Sequence, residues 1–460
     1  MRARPAWPWA ATCSRARIPR PWPGPSPRWC TTVPVSRTPS QSSEDDPVSA
    51  AGSEGRLGGS TTEVVLGLDT GTTSAKAHAV DRSGRILATA NSDPIATRST
   101  PEGGSEQDPD EIWQAVAAAS RSAAGALGAG VRVAALAVAA QSGSVIPVEP
   151  NGRATRAVTW MDTRSQAVVE SWSPDVAERI RAVSGWAPAP GAGLPTIAWL
   201  QAGSPGQGGE GSPVPVDRWA SVDDYLMFCL TGQWDTNPSN AAGMQLMDIG
   251  TCSWSPELCR LAGIDQGALS PIRESGTVAG ALTGEAAAAL GLEAGTPVVV
   301  GGHDQACAAL GLGVADPGDL FLSAGTAWVL TLVTDHADVA ALPPGLNLSP
   351  HVVVGRWSAS TNLGGLGALI AQSPPERAAA VFETCARKVG EALEAAGEMA
   401  AGGAAMVVVG GGTRFGELIE MIADATDRPV VTRPDASWPA VGAARLAAAA
   451  LGWTAPEAEG

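Results

Sequence analysis

The sequence contains one short pattern twice: an apolar run, a turn with glycine and threonine, and a second apolar run. The first copy is LGLDTGTTSAKA at 66–77, and the second is LFLSAGTAWVL at 320–330. Each copy predicts a β-hairpin, because apolar runs on both sides of a glycine-containing turn are typical of paired strands. Two such hairpins, far apart in the chain, predict a duplicated architecture.

Strands and helices alternate around both hairpins. A helix is expected to begin at Pro109, because Asp108 before it can cap the helix and proline is favoured at the first helical position. Further strands are predicted at 131–139, 298–300 and 406–409, and further helices at 222–230, 304–312, 375–400, 414–427 and 437–451. This alternation predicts α/β domains with mixed sheets flanked by helices.

Charge and composition exclude several classes of function. The formal net charge is -16, which argues against nucleic acid as a partner because phosphate backbones are bound by clustered Lys and Arg. No apolar stretch reaches the ~18 residues of a membrane-spanning helix. The chain has seven cysteines and four histidines, and their spacing fits neither a disulfide framework nor a zinc site. A cytoplasmic protein with reduced thiols is expected.

Residues 1–62 differ from the rest of the chain. Closely spaced prolines in this stretch forbid both helix interiors and central strands. The stretch is therefore interpreted as a disordered or mis-assigned extension outside the fold. Two domains are predicted after it, at 63–295 and 296–455.

The turn of the first hairpin is a candidate phosphate site. Gly71 is expected to allow a tight backbone conformation in which successive N–H groups form an anion-binding nest, and the hydroxyls of Thr72 and Thr73 add donors. Asp69, at the end of the strand, is a candidate Mg²⁺ ligand, and Lys76 follows in the second strand. An ordinary hairpin turn rich in glycine and threonine is the alternative.

A second candidate site follows the strand at 298–300, in the sequence Gly-Gly-His-Asp-Gln. Asp304 lies at the mouth of a helix, where a carboxylate can act as a general base on an acceptor hydroxyl. The alternative is that Asp304 only caps this helix, because aspartate is preferred at that position.

Two more glycine-containing turns complete the pattern. Gly325 and Thr326, in the second hairpin, mirror the first phosphate turn. Gly410, Gly411 and Gly412 form a strand-to-helix turn whose backbone can approach a flat base or a ribose closely. The order of the four sites along the chain is that expected of a duplicated ATPase fold.

Eight segments resemble the carbohydrate kinases of the FGGY family, within the hexokinase, Hsp70 and actin superfamily. The resemblance covers about 63–455. The segments are LGLDTGTTSAKA (66–77), EQDPDEIW (106–113), TWMDTRS (159–165), DDYLMFCLTGQWDTNPSNAAGMQLMDI (223–249), VVVGGHDQACAALGLG (298–313), SAGTAWV (323–329), VVVGGGTRFGELIEMIAD (407–424) and AVGAARLAAAALG (440–452).

The resemblance implies two actin/hexokinase-like (ribonuclease H-like) domains with a nucleotide in the cleft between them. It implies ATP and Mg²⁺ as cofactors, Asp304 as catalytic base, and phosphate loops at 69–76 and 325–326, with adenosine near 410–412. The expected partners are ATP and a small sugar or polyol, with neither nucleic acid nor membrane. A homodimer is left open.

The resemblance also implies a sugar pocket. Trp160, Asp162 and Arg164 match a W-x-D-x-R element beside that pocket, and Gln305 follows the expected base. Two departures from the family pattern concern substrate and activity. Family members that act on xylulose or glycerol carry Gln-Met-His or Gln-Arg-Glu where this chain has Gln141, Ser142 and Gly143, so neither an imidazole nor a guanidinium is available there. The chain after Gly365 is also shorter than in family members.

Three functions are therefore weighed. The first is an active kinase for a small sugar or polyol, either xylulokinase-like or acting on a related ketose or polyol. The second is a weak or inactive paralogue that binds sugar or nucleotide. The third is an ATPase module like the Hsp70 nucleotide domain, which the W-x-D-x-R element disfavours.

Overall fold

A computed structural model describes residues 62–203, 215–401, 405–433 and 436–453. The predicted extension lies outside these ranges, except for Thr62, which begins the first strand. Within the described ranges, no helix combines the length and hydrophobicity that crossing a bilayer requires.

The chain up to Leu312 alternates between strands and helices. Its strands are β1 (Thr62–Thr70), β2 (Ala75–Asp81), β3 (Ile86–Asn91), β4 (Arg98–Ser99), β5 (Ser105–Gln107), β6 (Val131–Ala140), β7 (Ile146–Val148), β8 (Ala157–Val158), β9 (Arg218–Ala220), β10 (Met247–Asp248), β11 (Ser253–Trp254), β12 (Val278–Ala281) and β13 (Pro297–His303). Its helices are α1 (Pro109–Gly125), α2 (Gln166–Ser171), α3 (Pro174–Ser184), α4 (Gly193–Gln201), α5 (Val222–Thr231), α6 (Pro238–Gly243), α7 (Pro256–Leu261), α8 (Gly284–Leu290) and α9 (Asp304–Leu312).

The remainder of the chain forms a second set of elements. Its strands are β14 (Leu320–Ala324), β15 (Trp328–Thr334), β16 (Asn347–Pro350), β17 (Trp357–Gly364), β18 (Met406–Val409) and β19 (Val430–Thr432). Its helices are α10 (Leu366–Gln372), α11 (Ala378–Ala396), α12 (Gly416–Thr426) and α13 (Trp438–Ala450).

Two six-stranded mixed sheets confirm the duplication. The first has the order β12-β13-β6-β1-β2-β3, and the second has the order β16-β17-β15-β14-β18-β19. In the first, β1 pairs antiparallel with β2 and parallel with β6. In the second, β14 pairs antiparallel with β15 and parallel with β18. Both predicted hairpins therefore occupy the centres of corresponding sheets, and the predicted α/β fold is confirmed.

Each face of the first sheet is covered by helices. On one face, apolar side chains of α1, α5 and α8 pack against β1 and β6. On the other face, α9 and α13 pack against β1, β6 and β13. The last helix of the chain therefore returns to the first sheet, so the two halves share a helix that joins them.

The predicted domain boundary at 295/296 does not follow the sheets. The strand β13 pairs in parallel with β6, and Val298 lies opposite Leu136. Because the partner of β13 lies far back in the sequence, local patterns could not place this strand in the first sheet. The chain passes from the first sheet to the second between Leu312 and Leu320.

Candidate active site

The β1–β2 turn is tight, but it needs no special backbone conformation at Gly71. The Gly71 N–H donates to the Ser74 carbonyl at 3.3 Å. Its φ lies outside the left-handed region, and a Cβ built there would meet only the Ser74 oxygen, at 3.9 Å. The turn therefore does not depend on a left-handed backbone at Gly71. Other residues can take this backbone geometry.

Asp69 ends β1 with a buried carboxylate. Its Oδ2 accepts a hydrogen bond of 2.7 Å from the Ser437 hydroxyl and lies 3.6 Å from the Lys76 ammonium. Burial and, to a smaller extent, the charge of Asp304 raise the pKa of Asp69 to about 6, although Lys76 and the hydrogen bond from Ser437 lower it. Asp69 and Asp304 thus act on one another electrostatically, as groups in one site do.

Asp304 is the first residue of α9 and does not cap it. The N-cap residue is His303, and its side chain makes no cap hydrogen bond. The Asp304 carboxylate instead lies 3.0 Å from Nε2 of His303, and 23% of its side chain is exposed. The helix-cap alternative for Asp304 is therefore wrong. A carboxylate without a capping role, open to solvent, is suited to accept a proton.

Gln305, beside Asp304, contributes an unsatisfied group. Its buried Oε1 has no hydrogen-bond partner in the part of the chain that the structure describes. Leaving a buried acceptor without a donor costs about 1–3 kcal/mol. A ligand hydroxyl is one group that could satisfy it.

Thr72 joins the first turn to the predicted sugar pocket. Its hydroxyl donates to Oε1 of Gln141 at 2.9 Å and accepts from the indole N–H of Trp160 at 3.0 Å. Trp160 is 42% exposed, so one part of its ring remains open. Because the Thr72 hydroxyl hydrogen is engaged, Thr72 does not offer a free donor to phosphate here, contrary to expectation. Thr73, beside it, is exposed.

Gln107 also belongs to this cluster, although sequence reasoning gave it no role. Its amide donates to the Thr72 carbonyl at 2.7 Å and its Oε1 accepts from Gln141 at 3.3 Å. Ser142, by contrast, donates to the Asn240 carbonyl at 3.2 Å, so its hydroxyl hydrogen is used within the protein. The only signal for Gln107 was its place in the segment EQDPDEIW.

Asp162 and Arg164 are occupied by protein partners. The buried Asp162 carboxylate accepts from the Ser105 N–H and from the Arg164 guanidinium. That guanidinium also donates to Glu106 and lies 4.5 Å from the ring centre of Trp199. The pair therefore fixes the turn that carries Trp160, through hydrogen bonds that are made to protein groups.

Beside the second six-stranded sheet, the predicted second phosphate turn (325–326) and the glycine turn (410–412) pack together. A Cβ at Gly410 would lie 2.9 Å from the Ala324 carbonyl carbon, and a Cβ at Gly412 would lie 2.8 Å from Cβ of Ala324. Gly410 also has a positive φ of 93°. These glycines are thus required for the backbone after β18 to approach Ala324 and Gly325. Gly411 has open space around it.

No protein-only metal cage is present among the described residues. None of their histidine, cysteine, aspartate or glutamate side chains gather in groups of three or more that could hold an ion. Asp69 is the ligand that the sequence predicts. One carboxylate with substrate phosphates and waters is the usual way in which proteins bind Mg²⁺.

Two family models match the chain. The N-terminal domain of the FGGY family of carbohydrate kinases matches residues 64–311, and the C-terminal domain matches residues 337–451. The chain belongs to this family. The resemblance seen in the eight sequence segments is therefore confirmed over both halves of the fold.

Curated relatives of this FGGY chain include autoinducer-2 kinases. One from Escherichia coli is 39% identical over 140 residues, which are 30% of this chain and 26% of that protein. One from Salmonella choleraesuis is 30% identical over 299 residues, which are 63% of this chain and 55% of that protein. The chain therefore matches only about a quarter to a half of the length of these relatives.

A solved structure supports the fold of this FGGY chain. The xylulose kinase from Lactobacillus acidophilus superimposes with a TM-score of 0.77 at 20% identity. The match covers 85% of this chain and 90% of that one.

Proposed function

We propose that this chain is an ATP-dependent carbohydrate kinase that transfers the γ-phosphate of ATP to a hydroxyl of a small sugar or polyol. The position of Asp304 carries the proposal. Asp304 follows β13 at the start of α9, and its carboxylate does not cap the helix. Its charge acts on the carboxylate of Asp69, at the β1–β2 turn. A base and a phosphate turn in one site are what phosphoryl transfer to an alcohol needs.

In the proposed reaction, the Asp304 carboxylate accepts the proton of the acceptor hydroxyl. The acceptor oxygen forms a bond to the γ-phosphorus as the bond from that phosphorus to the bridging oxygen breaks, and ADP leaves. Asp69 would hold Mg²⁺, which supplies positive charge to the phosphate oxygens. Lys76 faces the same Asp69 oxygen.

The nucleotide is proposed to lie between the two parts of the protein that contain the first and the second six-stranded sheet. Its phosphates would contact the turns at Gly71–Thr73 and Gly325–Thr326, which end the central strands of corresponding sheets. Adenosine would lie near Gly410–Gly412, where Gly411 has open space. The division into a sugar-binding part at 63–295 and a catalytic part at 296–455 belongs to this proposal.

The acceptor is proposed to lie beside Trp160, Gln141 and Gln305. The exposed part of the indole offers an apolar surface, and the free Oε1 of Gln305 offers an acceptor for a sugar hydroxyl. The curated relatives are autoinducer-2 kinases and the solved relative is a xylulose kinase. We therefore choose small hydroxylated carbon compounds as the first acceptors to test.

A panel of acceptors tests the proposed function. The purified chain is incubated with ATP, Mg²⁺ and one of D-xylulose, gluconate, glycerol or autoinducer-2, while ADP release and phosphorylated product are followed. We expect product formation with at least one acceptor, at a rate above ATP hydrolysis alone. ATP binding without any product would support the alternative of an inactive paralogue, for which the short connection after Gly365 is the motivating observation.

The pKa of Asp69 predicts how the Mg²⁺ requirement depends on pH. Asp69 must be ionised to bind the cation, and its pKa is about 6. Lowering the pH from 6 to 5 is therefore expected to raise the Mg²⁺ concentration for half-maximal rate by about fivefold, since the ionised fraction of Asp69 falls by that factor. Asp69→Asn serves as the control, because its remaining pH dependence reports only the protonation of ATP. Equal pH dependence in both proteins would contradict the role of Asp69.

The hydrogen bonds of Thr72 predict a selective effect on the acceptor. Thr72→Val removes the hydroxyl that joins Trp160 to Gln141 but keeps the shape of the side chain. We expect the KM for the acceptor to rise about fivefold, which corresponds to about 1 kcal/mol. Thr73→Val is the matched control and is expected to raise the KM for ATP instead. An increase of only the ATP KM in Thr72→Val would contradict this assignment.

A further inference from the structure

A chain of buried hydrogen bonds leads from α5 to the turn that carries Asp304. Asp223, in the first turn of α5, accepts from the Asn237 amide at 2.9 Å. Asn237 in turn accepts from the Ser239 hydroxyl at 2.7 Å, and Ser239 accepts from the backbone N–H of His303 at 2.9 Å. Asp223, Asn237 and Ser239 are each at most 1% exposed.

All donors in this series of hydrogen bonds point in the same direction. His303 donates to Ser239, Ser239 to Asn237, and Asn237 to the Asp223 carboxyl. In a buried environment, consecutive hydrogen bonds of one direction polarise and strengthen one another. This series of hydrogen bonds therefore holds the backbone of His303 more firmly than one isolated hydrogen bond would.

His303 connects this series of hydrogen bonds to Asp304. It is the last residue of β13 and the N-cap residue of α9. Its Nε2 lies 3.0 Å from Oδ1 of Asp304. A displacement of the His303 backbone would therefore move both the adjacent Asp304 backbone and the imidazole that contacts its carboxylate.

The capping of α6 does not account for the Ser239 contact. Asn237 caps that helix by accepting from the Asn240 N–H, whereas the Ser239 hydroxyl reaches β13, 64 residues later in the chain. Gly302 leaves room for this contact, because a Cβ there would lie 3.0 Å from the Ser239 oxygen. The contact is thus built from two distant segments.

The carboxyl groups of Asp304, Asp223 and Asp69 also act electrostatically on a common residue, Cys307. Burial raises the pKa of the Cys307 thiol well above its usual range, and the charges of Asp304, Asp223 and Asp69 raise it further. Asp223 therefore acts electrostatically on the same thiol as Asp304 and Asp69.

We propose that Ser239 and Asp223 are positioning residues, which hold the His303 backbone and thereby orient the Asp304 carboxylate toward the acceptor hydroxyl. This inference rests on the proposed function. Neither residue touches the reacting atoms. Their removal should reduce the rate of phosphoryl transfer while leaving both substrates bound.

Ser239→Ala tests the proposal, with Ser270→Ala as its matched control. The Ser270 hydroxyl is equally buried and donates to Asp224, the neighbour of Asp223, but does not contact β13. With ATP and the best acceptor of the panel, we expect kcat of Ser239→Ala to fall about tenfold, with each KM changed less than twofold. Ser270→Ala should keep kcat within twofold. Equal kcat losses in the two variants, or a change confined to KM, would overturn the proposal.

Two variants at Asp223 separate position from charge. Asp223→Asn keeps the shape and one acceptor oxygen, so its kcat should stay within about threefold of the unmodified chain. Asp223→Ala removes the acceptor and should lose about tenfold. A loss above tenfold in Asp223→Asn would overturn a positioning role, since the acceptor oxygen is retained.

Amide hydrogen exchange distinguishes failure of this inference from failure of the proposed function. Product formation by the unmodified chain tests the function. Exchange of the peptide that contains His303 tests the positioning independently of activity, and it should be faster in Ser239→Ala than in Ser270→Ala. Unchanged exchange at this peptide would overturn the inference even if the unmodified chain phosphorylates no acceptor.

Discussion

We expect replacement of Asp304 by asparagine to lower kcat by about 10²–10⁴, because in the proposed reaction the amide cannot accept the proton of the acceptor hydroxyl. Asparagine keeps the size of the side chain and its position at the start of α9, so the local fold is preserved. ATP affinity should change little, since neither glycine–threonine turn includes this residue. Initial rates with saturating acceptor, together with calorimetric titration of ATP, measure both quantities.

The exposed Asp316, after the end of α9, provides the control for charge. Asp316→Asn also removes one negative charge from the same region of the chain, and its kcat should stay within about twofold, as expected of a substitution away from the site. A kcat for Asp304→Asn within twofold of the unmodified chain would remove Asp304 from the mechanism. Loss of ATP binding in that variant would indicate a structural role instead.

Gly67→Ala is expected to destabilise the protein by about 3 kcal/mol. A Cβ at Gly67 would lie 1.8 Å from the Ala440 carbonyl oxygen and 2.7 Å from the Ala444 nitrogen, both of which are backbone atoms of α13. No side-chain rotation can relieve this contact, so the helix must move away from β1. The shift of the urea midpoint, with the slope of the transition checked for constancy, measures the effect.

Activity should fall together with stability in Gly67→Ala. Ser437, the N-cap residue of α13, donates to the Asp69 carboxylate, so a displaced helix removes that bond. Gly71→Ala, only four residues further along the chain, should leave the urea midpoint almost unchanged because its Cβ meets only an oxygen at 3.9 Å. Similar destabilisation by both substitutions would contradict the close packing of α13 on β1.

Local patterns in the sequence were sufficient for the two hairpins and several of the longer helices, whereas β3, β16 and β17 were not predicted. The two hairpins and the helix that begins at Pro109 depend on turn residues, caps and apolar runs, all of which are local. The sheet to which β13 belongs depends on pairing with β6, and the return of α13 depends on contacts with β1. Such long-range contacts leave no local pattern, and the predicted boundary at 295/296 did not follow the sheets for this reason.

The sequence predicted which segments contribute to the candidate site, but it did not predict the hydrogen-bond partners of their individual atoms. The structure brings Thr72, Gln141 and Trp160 together, although they come from three separate segments. Asp162 and Arg164, however, bond to each other and to neighbours. A motif indicates which residues lie near a site, whereas the partner of each polar atom depends on packing that the motif does not contain.

Glycine illustrates the same distinction. Gly71 stood in the most recognisable turn, yet its conformation is open to other residues. Gly67 and Gly410 lie where backbones approach each other too closely for any side chain. The sequence shows where glycines occur, but only the tertiary contacts show which of them the fold requires.

Transfer of labelled phosphate tests the central claim most directly. ATP labelled in its γ-phosphate is incubated with Mg²⁺, the unmodified chain and each acceptor, and the label in the acceptor and in inorganic phosphate is separated and counted. We predict that the label enters at least one acceptor and that Asp304→Asn abolishes most of this transfer. Label that appears only in inorganic phosphate, with every acceptor and at equal rates in both proteins, would contradict a kinase that uses Asp304 as its base.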